Sequence, residues 1–325
     1  MFGSVGLAVG RVRIGLLWTD FCRIKLLLLE QNNKNMSTQL ANKLGLVIEG
    51  GGVRGIYAAG VLDVLHDLRL PFDGVIGVSA GAIHGVSFVS GQKERSYRIY
   101  TRFCKDPRFF SLRTWFRTGN IVDNDFCYRE IPSVYEPFDE EAFMASRMAF
   151  WAVSTNLETG KAEYIRMHRC ASDIAPLIAS ASLPYVSRPV EYHGKLLLDG
   201  GCSDRVPLKA FQAMGFTRNV VVLTHPENHR VKDRDAALVR LFYRKYPAFC
   251  STFENSPRVY EETQAYLQDQ LSAGTVFVIR PKSPIPLGRL SHDPEAIKRA
   301  YNMGCLDALD AAEKLQKWII ENGLH

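Results

Sequence analysis

No run in this chain is both long enough and apolar enough to cross a bilayer. Residues 6–17 are broken by Arg11 and Arg13, and Leu26, Leu27, Leu28 and Leu29 end too soon. The body of the chain is therefore expected to be soluble. The seven cysteines contain no Cys-x-x-Cys pair and no zinc-ligand spacing, so a metal site is not expected. They read as reduced thiols in a reducing compartment. Charge is equally sparing. Forty basic against thirty-four acidic residues leave +6, too little to indicate nucleic acid but suited to an anionic membrane surface or substrate. Internal repeats, low-complexity tracts and domain linkers are missing too. That leaves one α/β domain with an insertion as the economical arrangement for 325 residues.

Residues 1–43 stand apart from that domain. Asp20, Arg23 and Lys25 interrupt the apolar stretches, no small-residue cleavage site follows, and residues 30–43 are polar. The segment is expected to be a disordered extension or to precede a true start at Met36, with an uncleaved interfacial anchor as the alternative. Residues 44–49 then form a short apolar run ending in glycines, as a buried strand feeding a loop does. Tyr57, Val61, Leu62, Val64, Leu65 and Leu68 fall at helical spacing until Pro71 stops them. Residues 72–78 return to strand and 80–90 to helix, the order of a parallel unit with a right-handed crossover. Residues 93–147 are aromatic, basic and irregular, and read as an inserted cap of short helices. Hairpins are predicted over 148–154 with 162–166 and over 191–192 with 195–198. A central parallel strand is expected at 219–224, helices over 226–274, a late strand at 275–280 and a long terminal helix at 294–322.

Three glycine-bearing runs carry chemistry. Gly77-Val78-Ser79-Ala80-Gly81 lies where a strand meets a helix. A sharp turn there needs positions without a β-carbon, and it lifts the Ser79 hydroxyl onto a helix N-terminus, where the dipole favours developing negative charge. His84, one turn further on, is expected to be packed. Gly50-Gly51-Gly52-Val53-Arg54-Gly55 can converge backbone N–H groups on an anion, and Arg54 can add charge or steer a phosphate. The same run fits a dinucleotide fingerprint, but neither Asp67 nor Asp73 closes the strand such a site requires, and no Walker lysine follows. Asp199-Gly200-Gly201 follows Leu196, Leu197 and Leu198, so its carboxylate is expected at the C-terminal end of a strand. Close to a serine and partly desolvated, it could take the hydroxyl proton. Cradle, nucleophile and base are the minimum set for serine-based acyl transfer.

These residues in this order resemble the patatin-like phospholipase family and the catalytic domain of cytosolic phospholipase A2. Similar texture continues in Val153-Ser154-Thr155-Asn156-Leu157-Glu158-Thr159-Gly160 and Ala179-Ser180-Ala181-Ser182-Leu183-Pro184, so the resemblance covers about residues 44–224. It implies a three-layer α/β/α fold with a mostly parallel central sheet. The catalytic domain would cover 44–225, with the cap inserted at about 93–147, and residues 226–325 would complete the same domain. It implies Ser79 as nucleophile, Asp199 as its base at the C-terminal strand ends, and Gly50, Gly51 and Gly52 as oxyanion donors. Arg54, Gly55, Gly77, Gly81, Gly200 and Gly201 take supporting places. Acyl-enzyme hydrolysis of a lipid ester would follow, with no metal or organic cofactor, no nucleic acid and no obligate protein partner. Glu49 departs from the aspartate usual before these glycines. Two other readings stay open: a Ser-His-Asp esterase using His225, and a non-catalytic lipid-binding or regulatory protein of the same fold. The expected location is cytoplasmic, with peripheral contact at the inner membrane face through the basic and aromatic residues of 95–117 and 229–249.

Overall fold

In a computed structural model of the chain, residues 43–227, 229, 236–288 and 291–324 are described. The extension, the start at Met36 and part of the basic stretch after residue 229 lie outside the described residues. The strands are β1 (Leu44–Ile48), β2 (Gly74–Val78), β3 (Ala149–Asn156), β4 (Ala162–Met167), β5 (Val190–Tyr192), β6 (Lys195–Asp199), β7 (Arg218–Val222) and β8 (Val276–Ile279). They form one sheet in the order β5-β6-β3-β2-β1-β7-β8, with β4 also paired to β3. Every pair from β3 through β2, β1 and β7 to β8 is parallel. β4 and β6 join β3 antiparallel, and β5 joins β6 likewise, so the sheet is mixed with a parallel centre.

The helices are α1 (Ile56–Asp67), α2 (Ala80–Val89), α3 (Arg95–Phe103), α4 (Leu112–Thr118), α5 (Glu140–Ala145), α6 (Ala175–Ser180), α7 (Leu208–Ala213), α8 (Ala236–Phe242), α9 (Pro247–Ser272) and α10 (Pro294–Glu321). The central strands are apolar on both faces because both faces are covered. Leu46 and Ile48 of β1 join Val75, Phe150 and Val220 in a core closed by α1, α2, α3 and α10. Val47, one residue out of phase, joins Ile76 and Val221 under Phe211 of α7 and Tyr260 and Leu267 of α9. Three layers result, as expected. The β5–β6 hairpin turns through His193 (φ 48°) and Gly194 (φ 73°), the left-handed pair that matches strand twist in a two-residue loop.

Residues 95–145 contain α3, α4, a π-helical stretch Phe126–Tyr135 with Pro132 inside it, and α5. Several of their aromatic side chains turn inward, whereas of the basic residues of 95–117 only Arg95 is buried. Phe103, Phe109 and Phe110 are buried, and so is Arg95. The Arg95 guanidinium donates to the Glu136 carbonyl at 2.8 and 3.2 Å and to Ser87 Oγ at 3.3 Å. Arg108 closes on Asp106 at 2.9 Å. Among the described residues no helix is long and apolar enough to cross a membrane.

His84 of α2 is packed, its Nδ1 3.0 Å from Ser96 Oγ and its ring 5.4 Å from that of Tyr100. Burial pushes its pKa down to about 3. The unfolded imidazole, with a pKa of about 6.5, binds a proton that the folded site refuses, so stability is full above that value and falls as pH drops toward 3. The slope should approach about 1.4 kcal/mol per pH unit. Denaturant midpoints taken between about pH 7 and pH 4 should fall less steeply in His84→Asn, whose amide can still meet Ser96. An unchanged slope would remove His84 as its source.

Candidate active site

β2 ends at Val78 and α2 begins at Ala80, so the chain turns on Ser79 alone. Ser79 holds φ 54° and ψ −124°. That is a conformation a side-chain-bearing residue takes at a cost of about 1–3 kcal/mol, and such residues cluster at functional sites. The flanking glycines are required by close approach. A β-carbon on Gly77 would lie 2.6 Å from the Ala82 nitrogen, and one on Gly81 2.8 Å from the Glu49 carbonyl oxygen. The Ser79 N–H donates to Ser180 Oγ at 2.9 Å. Ser180, at the end of α6, is a site residue that sequence reasoning quoted without giving it a role. The two residues are 101 apart in the chain, and only the Ala-Ser-Ala-Ser alternation hinted at it.

The same short segment holds the carboxylate. Asp199 N–H donates to the Ser182 carbonyl at 2.8 Å, and Thr155 Oγ1 donates to the Asp199 carbonyl at 2.9 Å. Gly201 N–H donates to Asp199 Oδ1 at 2.7 Å. A β-carbon on Gly200 would collide with the Val153 carbonyl. Asp199 does end a strand, but β6 runs against the parallel set. It overlaps β3 only at Ser154, Thr155 and Asn156, with Asp199 opposite Ser154. Val78 pairs Val153, so Asp199 and Ser79 end at matching levels with β3 between them. The separation of the two outer strands is about 10 Å, which two side chains directed into the gap can close.

Ser79, Asp199, Gly50, Gly51, Gly52 and Gly201 line one cavity of about 240 Å³, polar where Glu49, Arg54, Arg205 and His225 stand in its wall. The glycine run meets the serine directly: a β-carbon on Gly50 would stand 2.8 Å from Ser79 Cβ. Gly55 lies against Ala80 of α2, where its own β-carbon would come within 2.6 Å of that methyl group. A second, apolar cavity of about 170 Å³ shares Gly52, Ser79 and Leu183 with the first. Half of its wall comes from the insertion and the rest mainly from α2, which contributes Val86, and from the chain around α6. Ser79 stands at the junction of the two.

His225, just beyond β7, also reaches the polar cavity, but its bonds run elsewhere. Its Nδ1 lies 3.2 Å from Glu49 Oε1, and its ring stacks on His229 at 4.0 Å. Among the described residues its Nε2 has no hydrogen-bond partner, so it is not bonded to the serine. Glu49 is buried, and its other oxygen accepts from Thr224 N–H at 2.7 Å and Thr224 Oγ1 at 3.2 Å. Burial by itself would raise the Glu49 carboxyl. The charge and hydrogen bond of His225, the Thr224 amide and the charge of Arg205 outweigh it and hold the carboxyl below its ordinary range. Glu49 thus ties the glycine loop to the end of β7.

A family model described as patatin-like phospholipase matches residues 46–211, just over half of the chain. The chain belongs to the patatin-like phospholipase family. A domain of unknown function matches residues 246–320, which take in all of α9 and β8 and nearly all of α10. The uncharacterized protein YjjU of Escherichia coli is 26% identical over 288 residues, covering 81% of this chain and 75% of YjjU. Lysophospholipase NTE1 of Debaryomyces hansenii is 30% identical over 200 residues, 57% of this chain but 12% of that protein. NTE1 of Saccharomyces cerevisiae is 29% identical over 182 residues, 53% of this chain and 10% of NTE1. The chain therefore spans a small part of those NTE1 proteins. VipD from Legionella pneumophila aligns with a TM-score of 0.41 at 13% identity, over 84% of this chain and 67% of VipD. Membership of this family supports a lipid hydrolase.

Proposed function

We propose that this patatin-like protein is a serine acyl hydrolase that cleaves lipid esters through Ser79 and Asp199. The observation that carries the reading is a serine held in a strained strand-to-helix turn, on a cavity wall that also contains Asp199 and the Gly50–Gly52 backbone. Asp199 takes the Ser79 proton, and the alkoxide attacks the acyl carbonyl carbon. The N–H groups of Gly50, Gly51 and Gly52 receive the oxyanion, and Asp199 returns the proton to the departing alcohol. Water, deprotonated by Asp199, then cleaves the acyl-Ser79 ester. The bonds of His225 to Glu49, and its unbonded Nε2, favour this dyad over a histidine triad.

The two cavities suggest which ester. The apolar one suits a single acyl chain, and the polar one, with Arg54 and Arg205, suits a phosphorylated head. A lysophospholipid has that division, and the NTE1 relatives carry lysophospholipase in their names. The six described cysteines are free thiols, which fits a cytoplasmic setting. Residues 44–325 would act as one catalytic unit. Labelling with a fluorophosphonate and mapping the modified peptide tests the reading. The label is expected on Ser79 and lost in Ser79→Ala; a folded wild-type protein that takes no label would instead be a lipid-binding protein with an idle site.

A further inference from the structure

Residues 183–186 form part of the wall of the polar cavity, and the segment 183–188 is held between two helical elements. On one side the chain just after α4 holds it: Ile121 N–H donates to the Val186 carbonyl at 2.7 Å, and Arg188 N–H donates to Asn120 Oδ1 at 2.8 Å. On the other side the end of α8 holds it. The Tyr185 ring lies 5.4 Å from that of Phe242, and Tyr185 N–H donates to Tyr243 Oη at 3.0 Å. Leu183, Pro184, Tyr185 and Val186 themselves line the cavity. Thus the ends of α4 and α8 both meet the segment that walls the cavity of the serine.

Both helices present large apolar side chains to water. On α4, Leu112 is 65% and Phe116 79% exposed; on α8, Leu241 is 70% and Phe242 59% exposed. Exposed large apolar side chains on both elements that hold a cavity wall mark an interaction surface. The charged residues carried by the two helices themselves are all basic. Arg113 and Arg117 lie on α4, Arg240 on α8, Arg244 and Lys245 just beyond it, and Arg188 between; all six are exposed. Arg117 and Arg240 also hold Asp123 and Glu254. Neither residues 112–118 nor residues 236–249 contain an acidic side chain. Exposed apolar residues elsewhere lack this company: Leu306 and Leu309 of α10 sit beside Asp307 and Asp310.

We propose that the exposed faces of α4 and α8 are a membrane-docking surface for an anionic bilayer. Leu112, Phe116, Leu241 and Phe242 enter the interface, while the arginines and Lys245 meet lipid phosphates. Docked this way, the segment 183–188 faces the lipid, and an ester passes to Ser79 without crossing water. The proposal rests on the lipid-ester reading for its purpose, but its test does not.

The test is co-sedimentation of the full chain with vesicles of phosphatidylcholine alone or mixed with phosphatidylglycerol, beside turnover of a water-soluble p-nitrophenyl ester. Wild type is expected to pellet with the anionic vesicles at low salt and to be released as salt rises. Phe116→Asp with Leu241→Asp should weaken this binding by about tenfold or more, because two large side chains can no longer be buried in the interface. Leu306→Asp with Leu309→Asp on α10 should leave it unchanged. Thermal melts show that each variant is folded, and soluble-ester turnover should be equal in all three proteins. If folded wild type ignores anionic vesicles, or the α4 and α8 variant binds as well as wild type, the proposal is wrong. It is equally wrong if those substitutions abolish self-association in solution and leave vesicle binding intact, since the surface then serves a second copy of the chain. Absence of soluble-ester turnover in wild type would count against the hydrolase alone.

Discussion

Asp199→Asn is expected to lower kcat on a soluble ester by about 10²- to 10⁴-fold with little change in KM, the range of a lost general base. Ser79→Ala should abolish turnover and fluorophosphonate labelling together, whereas Asp199→Asn should only slow labelling. Asparagine is a clean replacement here. Its side-chain oxygen can still accept from Gly201 N–H, as Asp199 Oδ1 does at 2.7 Å, and the strand pairing to Ser154 is main chain. A loss therefore reports the missing proton acceptor and not a collapsed turn. His225→Asn completes the comparison, because its amide can keep the contact with Glu49 while removing the unbonded Nε2. It should cost less than about tenfold, below what a general base contributes. If instead folded His225→Asn loses about a thousandfold while Asp199→Asn does not, the base is the histidine and the dyad is wrong.

The parts of this site legible in the sequence are those that impose backbone demands. Gly77 and Gly81 are needed because carbonyl and amide groups of neighbouring segments press on their α-carbons, and no other residue leaves that room. The same holds for Gly200 against Val153. The central strands were legible because they are apolar on both faces, and the β5–β6 hairpin because His193-Gly194 supplies a left-handed pair. Contacts between distant side chains were not legible. Ser180 and Ser182 hold the nucleophile and the carboxylate, but nothing about a serine near the end of a short helix announces which amide it meets. The direction of β6 escaped as well, since a strand carries the same local pattern whichever way it runs. In residues 95–117 composition alone did not sort the inward side chains from the outward ones. Basic and aromatic residues alternate there, yet packing buries Arg95, Phe103, Phe109 and Phe110 and leaves Leu112 and Phe116 outside. Without a period to read through the irregular turns and the π-helical stretch, the inward and outward sets could not be told apart.

Those inward residues are what should decide chain length. Val86 is buried on the α2 face that lines the apolar cavity, two helical turns beyond Ser79 and about 10 Å along the axis. Val86→Trp fills that space from the side of the helix that holds the nucleophile, leaving the Ser79 turn itself untouched. An acyl chain that no longer buries four methylenes forfeits about 3 kcal/mol, or roughly 100-fold in kcat/KM. Long-chain esters should therefore lose about that factor, while a butyrate ester, short enough to end before Val86, should change by only a few fold. Overpacking costs about 1–3 kcal/mol of stability, so melting is measured alongside, and Val86→Phe stands in should the tryptophan variant not fold. Equal losses on short and long esters would mean that the substitution disturbed Ser79 rather than the chain path. No loss on either would show that the acyl chain lies elsewhere, leaving the apolar cavity to packing alone.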